Sequence, residues 1–310
     1  NSDNTRTERG GAESMMGIRI FLILAAVLLV AVFLEIYRET HSFRVTRYTV
    51  NSGKMKGFGD EIRILFFSDL HNMEYGKHNE RLFRAAAREN PDLILIGGDM
   101  LVGKPDVSYD PALKFVQRLT ELCPVFYANG NHEQRMKEEP WKYSFSYESY
   151  REQLIRKGTV FLENESREIT IRGKKLVVSG LELPLVSYVK FRKDRISGST
   201  VSESLGFTPP QQNPDREAYY ILLAHNPTYM DAYKEWGADL ILSGHLHGGI
   251  ARIPGIGGVI TPQVFLFPKY SGEMTVEGDR TIIVSKGLGT HTVNIRFMNM
   301  PELVSVRIHG

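Results

Sequence analysis

Phe66-Phe67-Ser68-Asp69-Leu70-His71 closes a largely apolar run that begins at Ile62. Such a run reads as a buried strand of an α/β sheet. Ligands of open α/β sheets bind beyond the carboxyl ends of the strands, which is where Asp69 and His71 stand. Residues i and i+2 of an extended segment point the same way, so this carboxylate and imidazole are expected to converge on one ion.

The same pattern returns four times downstream, each time after an apolar run. The clusters are Gly97-Gly98-Asp99, Gly130-Asn131-His132-Glu133, Ala224-His225-Asn226 and Gly244-His245-Leu246-His247. Singly each is weak. A lone Asp after a strand is commonly a turn or a helix cap, a lone His a satisfied structural side chain, and only the pair His245 and His247 has some specificity by itself. Together they imply a shared cleft beyond strand ends. Carboxylate and amide oxygens mixed with imidazoles, without thiolate, suit manganese, iron or zinc rather than a structural zinc knot. The number of donors fits two divalent ions, with Asp99 able to bridge both at a separation of about 3.5–4 Å. Glycines 97, 98, 130, 244 and 248 permit the tight turns that bring such ligands together.

Around these clusters the chain alternates strands and helices. Strands are expected over 62–67, 92–96 and 125–128, with helices near 77–89 and 111–122 between them, which predicts parallel βαβ units. A helix near 147–157 and β-segments at 159–162, 167–171 and 175–179 follow. The pattern resumes with strand 219–223, helix 227–236 and strand 239–242, and ends with strands 281–284 and 303–308. Residues 183–216 have little periodicity and contain Lys190, Arg192, Lys193 and Arg195. They read either as a solvated surface loop or as a basic cap over an anionic substrate. The apolar, Gly-punctuated stretch 250–267 reads as a buried hairpin, with contact to lipid as the alternative.

The chain has 310 residues and a net charge of +2, which suits one sizeable domain with an appendage and gives no electrostatic reason to expect a nucleic-acid partner. Its single cysteine, Cys123, excludes an intrachain disulfide framework and a zinc–thiolate cluster. Residues 1–16 are polar and expected to be disordered. Every residue from Ile20 to Leu34 is apolar, so 17–37 is expected to be an uncleaved, single-pass transmembrane anchor, a cleaved signal peptide being the rival. Arg6, Arg9 and Arg19 precede the span and Arg38, Arg44, Arg47 and Lys54 follow it, so the positive-inside rule assigns no side. Residues 38–60 read as a linker with a first β-segment near 43–50, and 61–310 as the catalytic domain.

The five clusters, in this order, resemble the calcineurin-like metallophosphoesterases, whose pattern is D-x-H, G-D, G-N-H-D/E, a lone H and G-H-x-H. The ending Ser285-Lys286-Gly287-Leu288-Gly289 with Asn294-Ile295-Arg296 is similar to the membrane-associated bacterial branch of YkuE- and YaeI-like phosphodiesterases. The resemblance covers roughly residues 43–308 and implies an α/β fold, a four-layer α/β/β/α sandwich, here preceded by one transmembrane helix. It implies one metal on Asp69, His71, Asp99 and His247, and a second on Asp99, the Asn131 oxygen, His225 and His245. His132 matches a position that acts near the leaving group rather than as a ligand. Glu133 stands where Asp is commoner.

The function so implied is hydrolysis of a phosphodiester or phosphomonoester, with a lipid-linked or cell-envelope substrate favoured by the anchor. A metal-binding scaffold without catalysis and a phosphoprotein phosphatase are the alternatives. The resemblance favours an extracytoplasmic domain. His41, His78 and His309 read as surface or structural residues, whereas His291 and Arg296 are candidates to face the cleft. The Gly-rich fragments at 255–258 and 287–289 lack the strand–turn–helix context of a dinucleotide site.

Overall fold

The computed structural model describes residues 2–55, 60–210, 218–249, 252–253, 257–261, 264, 266–290 and 295–310, with backbone alone for 2–14. The chain opens with one helix, α1 (Ser2–His41), of which Met15–His41 is long and apolar enough to cross a membrane. Its apolar side chains, among them Phe21, Leu24, Leu28 and Phe33, are exposed, so the domain does not cover them. Composition predicts disorder over 1–16 and a linker from residue 38, whereas the helix includes residues 2–16 and runs on as far as His41. Once the apolar segment has nucleated a helix, each added residue gains a hydrogen bond at little further cost.

Two six-stranded sheets follow. The first takes β1 (Arg44–Asn51), β2 (Ile62–Phe67), β3 (Leu93–Ile96), β4 (Val125–Tyr127) and β5 (Thr159–Phe161), with β2 to β5 parallel as the strand–helix rhythm predicts. The second takes β6 (Glu165–Ile171), β7 (Lys174–Leu181), β8 (Ala218–Ala224) and β9 (Leu240–Ser243). A short hairpin, β10 (Arg252–Ile253) with β11 (Gly257–Gly258), stands apart. Next, β12 (Met274–Glu277) and β13 (Arg280–Val284) complete the second sheet, in the order β12-β13-β9-β8-β7-β6. The last strand, β14 (Glu302–His309), returns to the first sheet and inserts between β1 and β2, antiparallel to β2.

The layers follow from which faces are apolar. Ile62, Ile64 and Phe66 of β2 meet Val178, Ile221 and Leu242 of the second sheet in a core between the two sheets. Leu65 and Phe67, on the opposite face of β2, pack under helices α2 (Glu80–Arg88) and α3 (Asp110–Leu119). Further along the chain come α4 (Asn131–Glu138), α5 (Tyr147–Ile155), α6 (Gly198–Leu205) and α7 (Met230–Trp236). Helices α6 and α7 cover the outer face of the second sheet through Val201, Tyr233 and Trp236. A strand that is apolar on both faces can only lie between two such layers, and the result is the α/β/β/α sandwich.

Two segments differ from their reading in the sequence. The described part of 183–216, residues 183–210, is not one loop. It holds a helical turn at Leu185–Tyr188 and α6, whose start is capped by Ser197 accepting from Thr200 N. A short hairpin, β10–β11, forms within 250–267, and among the described residues of that stretch Gly258 and Thr261 are buried whereas Ile253, Leu266 and Phe267 are exposed. Ile256 and Phe265 lie outside the described residues.

Candidate metal centre

Five strands of the two sheets end at one place. Asp69 and His71 follow β2, Asp99 follows β3, Asn131 and His132 open α4 after β4, His225 follows β8, and His245 and His247 follow β9. All eight are buried. The convergence of Asp69 and His71 is not that of an extended strand, however. Asp69, His71, Asp99, His245 and His247 all have positive φ, between 47° and 66°. Non-glycine residues in this left-handed region cost of order 1 kcal/mol each and persist where surrounding contacts fix them. Backbone bonds do so here: Gly97 N donates to Phe67 O at 2.8 Å, Asp69 N to Gly98 O at 3.0 Å, and His71 N to Asp99 O at 3.0 Å.

Glycine is needed where these turns touch. A Cβ on Gly244 would overlap Ser68 Oγ and Asp69 Oδ2, and one on Gly130 would overlap Asp99 Oδ1. The close approach leaves three overlapping groups of donor atoms, each within 4.8 Å: Asp69, His71 and His247; His71, Asp99 and His132; and Asp99, His225 and His245. His71 Nε2 lies 3.1 Å from His247 Nε2, and His247 Nε2 lies 3.4 Å from Asp69 Oδ1. His225 Nε2 lies 3.2 Å from Asp99 Oδ2.

Charges this close in a buried site shift one another. Burial raises Asp69 to about 6, with the Asp99 charge adding to it and His225 opposing. Asp99 pays the same desolvation but is held well below the ordinary carboxylate range by His225, His132 and His71. His225 is driven down by burial and up by Asp99 and Asp69, which win and bring it to about 10.

Neighbouring groups orient these side chains. The Nδ1 of His225 meets Gly97 O at 2.6 Å, so that nitrogen carries a proton and Nε2 faces the two aspartates. His132 is set the other way: Gly103 N donates to its Nδ1 at 2.9 Å, which places the ring proton of neutral His132 on Nε2. The His245 ring meets Tyr188 edge to face at 5.1 Å. Tyr188 is what residues 183–216 bring to the site, while Arg192 is exposed and paired with Asp194.

Glu133 carries far more than its sequence suggests. Its carboxylate accepts from Asp99 N at 2.8 Å, Met100 N at 2.9 Å, Gly130 N at 3.1 Å and the Tyr127 hydroxyl at 2.7 Å. It thereby ties the Asp99 turn to the Asn131–His132 turn. Burial and the Asp99 charge push it up to about 7. Arg296, a candidate to face the cleft, instead lies behind it, donating to Lys286 O at 2.8 Å and Asn299 O at 3.2 Å. His291 lies outside the described residues.

One observation bears on whether this cluster fits metal. Neither atom of the Asn131 side-chain amide finds a hydrogen-bond partner, although the residue is only 1% exposed. A buried amide left so is costly. Beside aspartates and imidazoles, its oxygen fits a hard divalent cation.

The family model for calcineurin-like phosphoesterases matches residues 62–249, the span from β2 to just past His247. An uncharacterized metallophosphoesterase of Aquifex aeolicus (strain VF5) is 29% identical over 289 residues, covering 91% of this chain and 98% of its own. The uncharacterized metallophosphoesterase YkuE of Bacillus subtilis (strain 168) is 24% identical, covering 86% of each chain. The phosphodiesterase YaeI of Escherichia coli (strain K12) is 23% identical, covering 79% of this chain and 82% of its own. With its sandwich fold and its buried Asp/His cluster, the chain belongs to the calcineurin-like phosphoesterase family of metal-dependent phosphoester hydrolases.

Proposed function

We propose that this protein is a membrane-anchored phosphodiesterase that works with two divalent ions. Asp69, His71, Asp99 and His247 would hold one, and Asp99, Asn131, His225 and His245 the other. The observation that carries this reading is the position of Asp99, whose carboxylate belongs to two of the three overlapping donor groups. Bound there, such a pair supplies positive charge to phosphoryl oxygens and activates water for in-line attack.

The chain's own residues then do the rest. His132 presents its Nε2 proton to the departing oxygen. Because Nδ1 already accepts from Gly103 N, full transfer of that proton would leave an anionic ring, so His132 acts as a hydrogen-bond donor rather than a proton source. Such a donor stabilises charge that grows only in the transition state. Glu133 keeps the Asp99 and His132 turns in register, and Tyr188 walls one side beside His245.

The diester preference is supported by the relative named as a phosphodiesterase. A substrate at a bilayer is supported by α1 and by its root: Glu35 and Arg38 line a cavity of about 850 Å³ together with the exposed apolar residues Ile253 and Met298. A domain that places Ile253 and Met298 beside Arg38, Arg44 and Lys286 at the foot of a membrane helix would work on lipid-linked phosphodiesters, which tethering keeps at high local concentration.

The test uses the full chain in detergent micelles, loaded with manganese, zinc or iron and given an aryl phosphodiester, an aryl phosphomonoester, a phospholipid-linked diester and a phosphopeptide. Cleavage of diesters ahead of the monoester supports the proposal. Turnover of a phosphopeptide alone would make the protein a phosphatase of proteins, and two bound ions without turnover of any ester would make it a scaffold.

A further inference from the structure

The turn that carries His247 is a run of left-handed backbone. His247, Gly248 and Gly249 have φ of 50°, 73° and 85°, three left-handed residues in succession. Such a run does not hold its shape unaided. Here each of its three carbonyls is gripped from outside. Asn299 Nδ2 donates to His247 O and to Gly249 O, each at 2.7 Å, and Arg252 Nη1 donates to Gly248 O at 2.9 Å. Gly248 is pressed so closely onto Asn299 that a Cβ there would overlap Asn299 Oδ1.

Asn299 is held in turn by a residue from far away in the chain. Its backbone N–H donates to both carboxylate oxygens of Glu39, at 2.9 and 3.0 Å. Glu39 is 2% exposed and lies in the last turn of α1, two residues before the helix ends. Burying a carboxylate is expensive unless it makes strong hydrogen bonds, and this one spends its bonds on the clamp of a metal-site turn. Arg296 braces the same point, donating to Asn299 O at 3.2 Å and lying 3.5 Å from His247 Nδ1.

We propose that Glu39 is a positioning residue of the metal centre, so that the foot of the membrane helix completes the site of the His247 ion through Asn299. The proposal rests on the two-ion reading given above. It makes a selective claim: Glu39 supports the ion on Asp69, His71, Asp99 and His247, and leaves the ion on Asp99, Asn131, His225 and His245 untouched. It also gives the helix a second role, since a shift of α1 in the bilayer would be felt at one metal and not at the other.

The test is a manganese titration of the full, metal-stripped chain in detergent micelles, following free Mn²⁺ by electron paramagnetic resonance. Two binding steps are expected for the unmodified protein. Glu39→Ala should weaken one step by roughly 10–100-fold, the usual effect of losing a group that orients a ligand, and leave the other in place. Glu39→Gln keeps an oxygen that can accept from Asn299 N, so it should restore most of the loss. Asn299→Ala should reproduce the Glu39→Ala effect, and the double variant should be no worse than Asn299→Ala alone, because both act through one chain of contacts.

Two unchanged steps in Glu39→Ala would overturn the proposal. So would equal weakening of both steps with a lowered melting temperature, since that is what a merely structural role gives. If Glu39→Ala fails to fold, Glu39→Gln and Asn299→Ala decide the matter by the same two readings. A single step in the unmodified protein would overturn the two-ion reading itself, and the proposal with it.

Discussion

His71 Nε2 and His247 Nε2 stand 3.1 Å apart, although 176 residues separate them in the chain. One follows a strand of the first sheet and the other a strand of the second, so the contact exists only because the sheets stack with their carboxyl ends together. With Asp69 Oδ1 3.4 Å from the second nitrogen, a single cation would satisfy all three groups. Asp99, proposed to serve both ions, has the most to lose by substitution. Asp99→Ala should abolish turnover and retain at most one ion, whereas His247→Ala should lose one ion and keep the other. Elemental analysis of each purified variant reads this out.

His132 should separate chemistry from binding. Replacement by Ala leaves every proposed ligand in place and removes the Nε2 proton together with the acceptor of Gly103 N, so metal content should stay at the unmodified level. Turnover should fall by roughly 10²–10³-fold, the effect of deleting one preorganised donor. Metal analysis beside steady-state kinetics would show it, and metal loss in His132→Ala would make the residue a ligand instead.

Glu133 sets the stability of the centre. Glu133→Ala strands the N–H groups of Asp99, Met100 and Gly130 and leaves the buried Tyr127 hydroxyl with Tyr150 alone. Each buried polar group left without a partner costs about 1–3 kcal/mol, so a loss of roughly 3 kcal/mol or more is expected in urea unfolding of the metal-stripped chain. A loss near zero would mean that water replaces Glu133 fully.

Gly244→Ala should be as damaging as removal of a ligand, because its methyl group would overlap Ser68 Oγ and Asp69 Oδ2. Weakened manganese binding with an intact far-ultraviolet circular dichroism spectrum is the expected signature.

Metal uptake should release protons. In the metal-stripped chain burial disfavours the His225 cation, but Asp99 and Asp69 outweigh burial and hold the ring protonated up to about 10. A metal ligand must be the neutral imidazole. At pH 7 the free site therefore carries a proton that the loaded site lacks, and affinity should rise with pH, about tenfold per unit for each proton displaced. Calorimetry in two buffers of different ionisation enthalpy counts those protons, and a count of zero at pH 7 would contradict the assignment of His225.

The candidate clusters and the strand–helix order were legible because each cluster directly follows an apolar run, and the sheets form from those runs. Other features were not legible, because they depend on contacts between distant segments. Nothing in Phe67-Ser68-Asp69 announces left-handed backbone at Asp69, which is imposed by Gly98 O and the turn at Gly97. Glu133 looked like a mild replacement of Asp, yet its position after Tyr127 and Gly130 makes it the acceptor of four donors. Glu39 read as the edge of a linker, since its partner Asn299 is 260 residues away. Only α6 left a local sign in the sequence, the Ser197 cap before Val201 and Leu205, obscured by the polar residues around it.

The central claim is two ions sharing Asp99, and the most direct measurement is the metal-to-protein ratio of the full chain after manganese loading and removal of free metal. A ratio of two, falling to one or less in Asp99→Ala together with loss of phosphodiester cleavage, is the expected result. A ratio of one in the unmodified protein with full phosphodiester cleavage would contradict it.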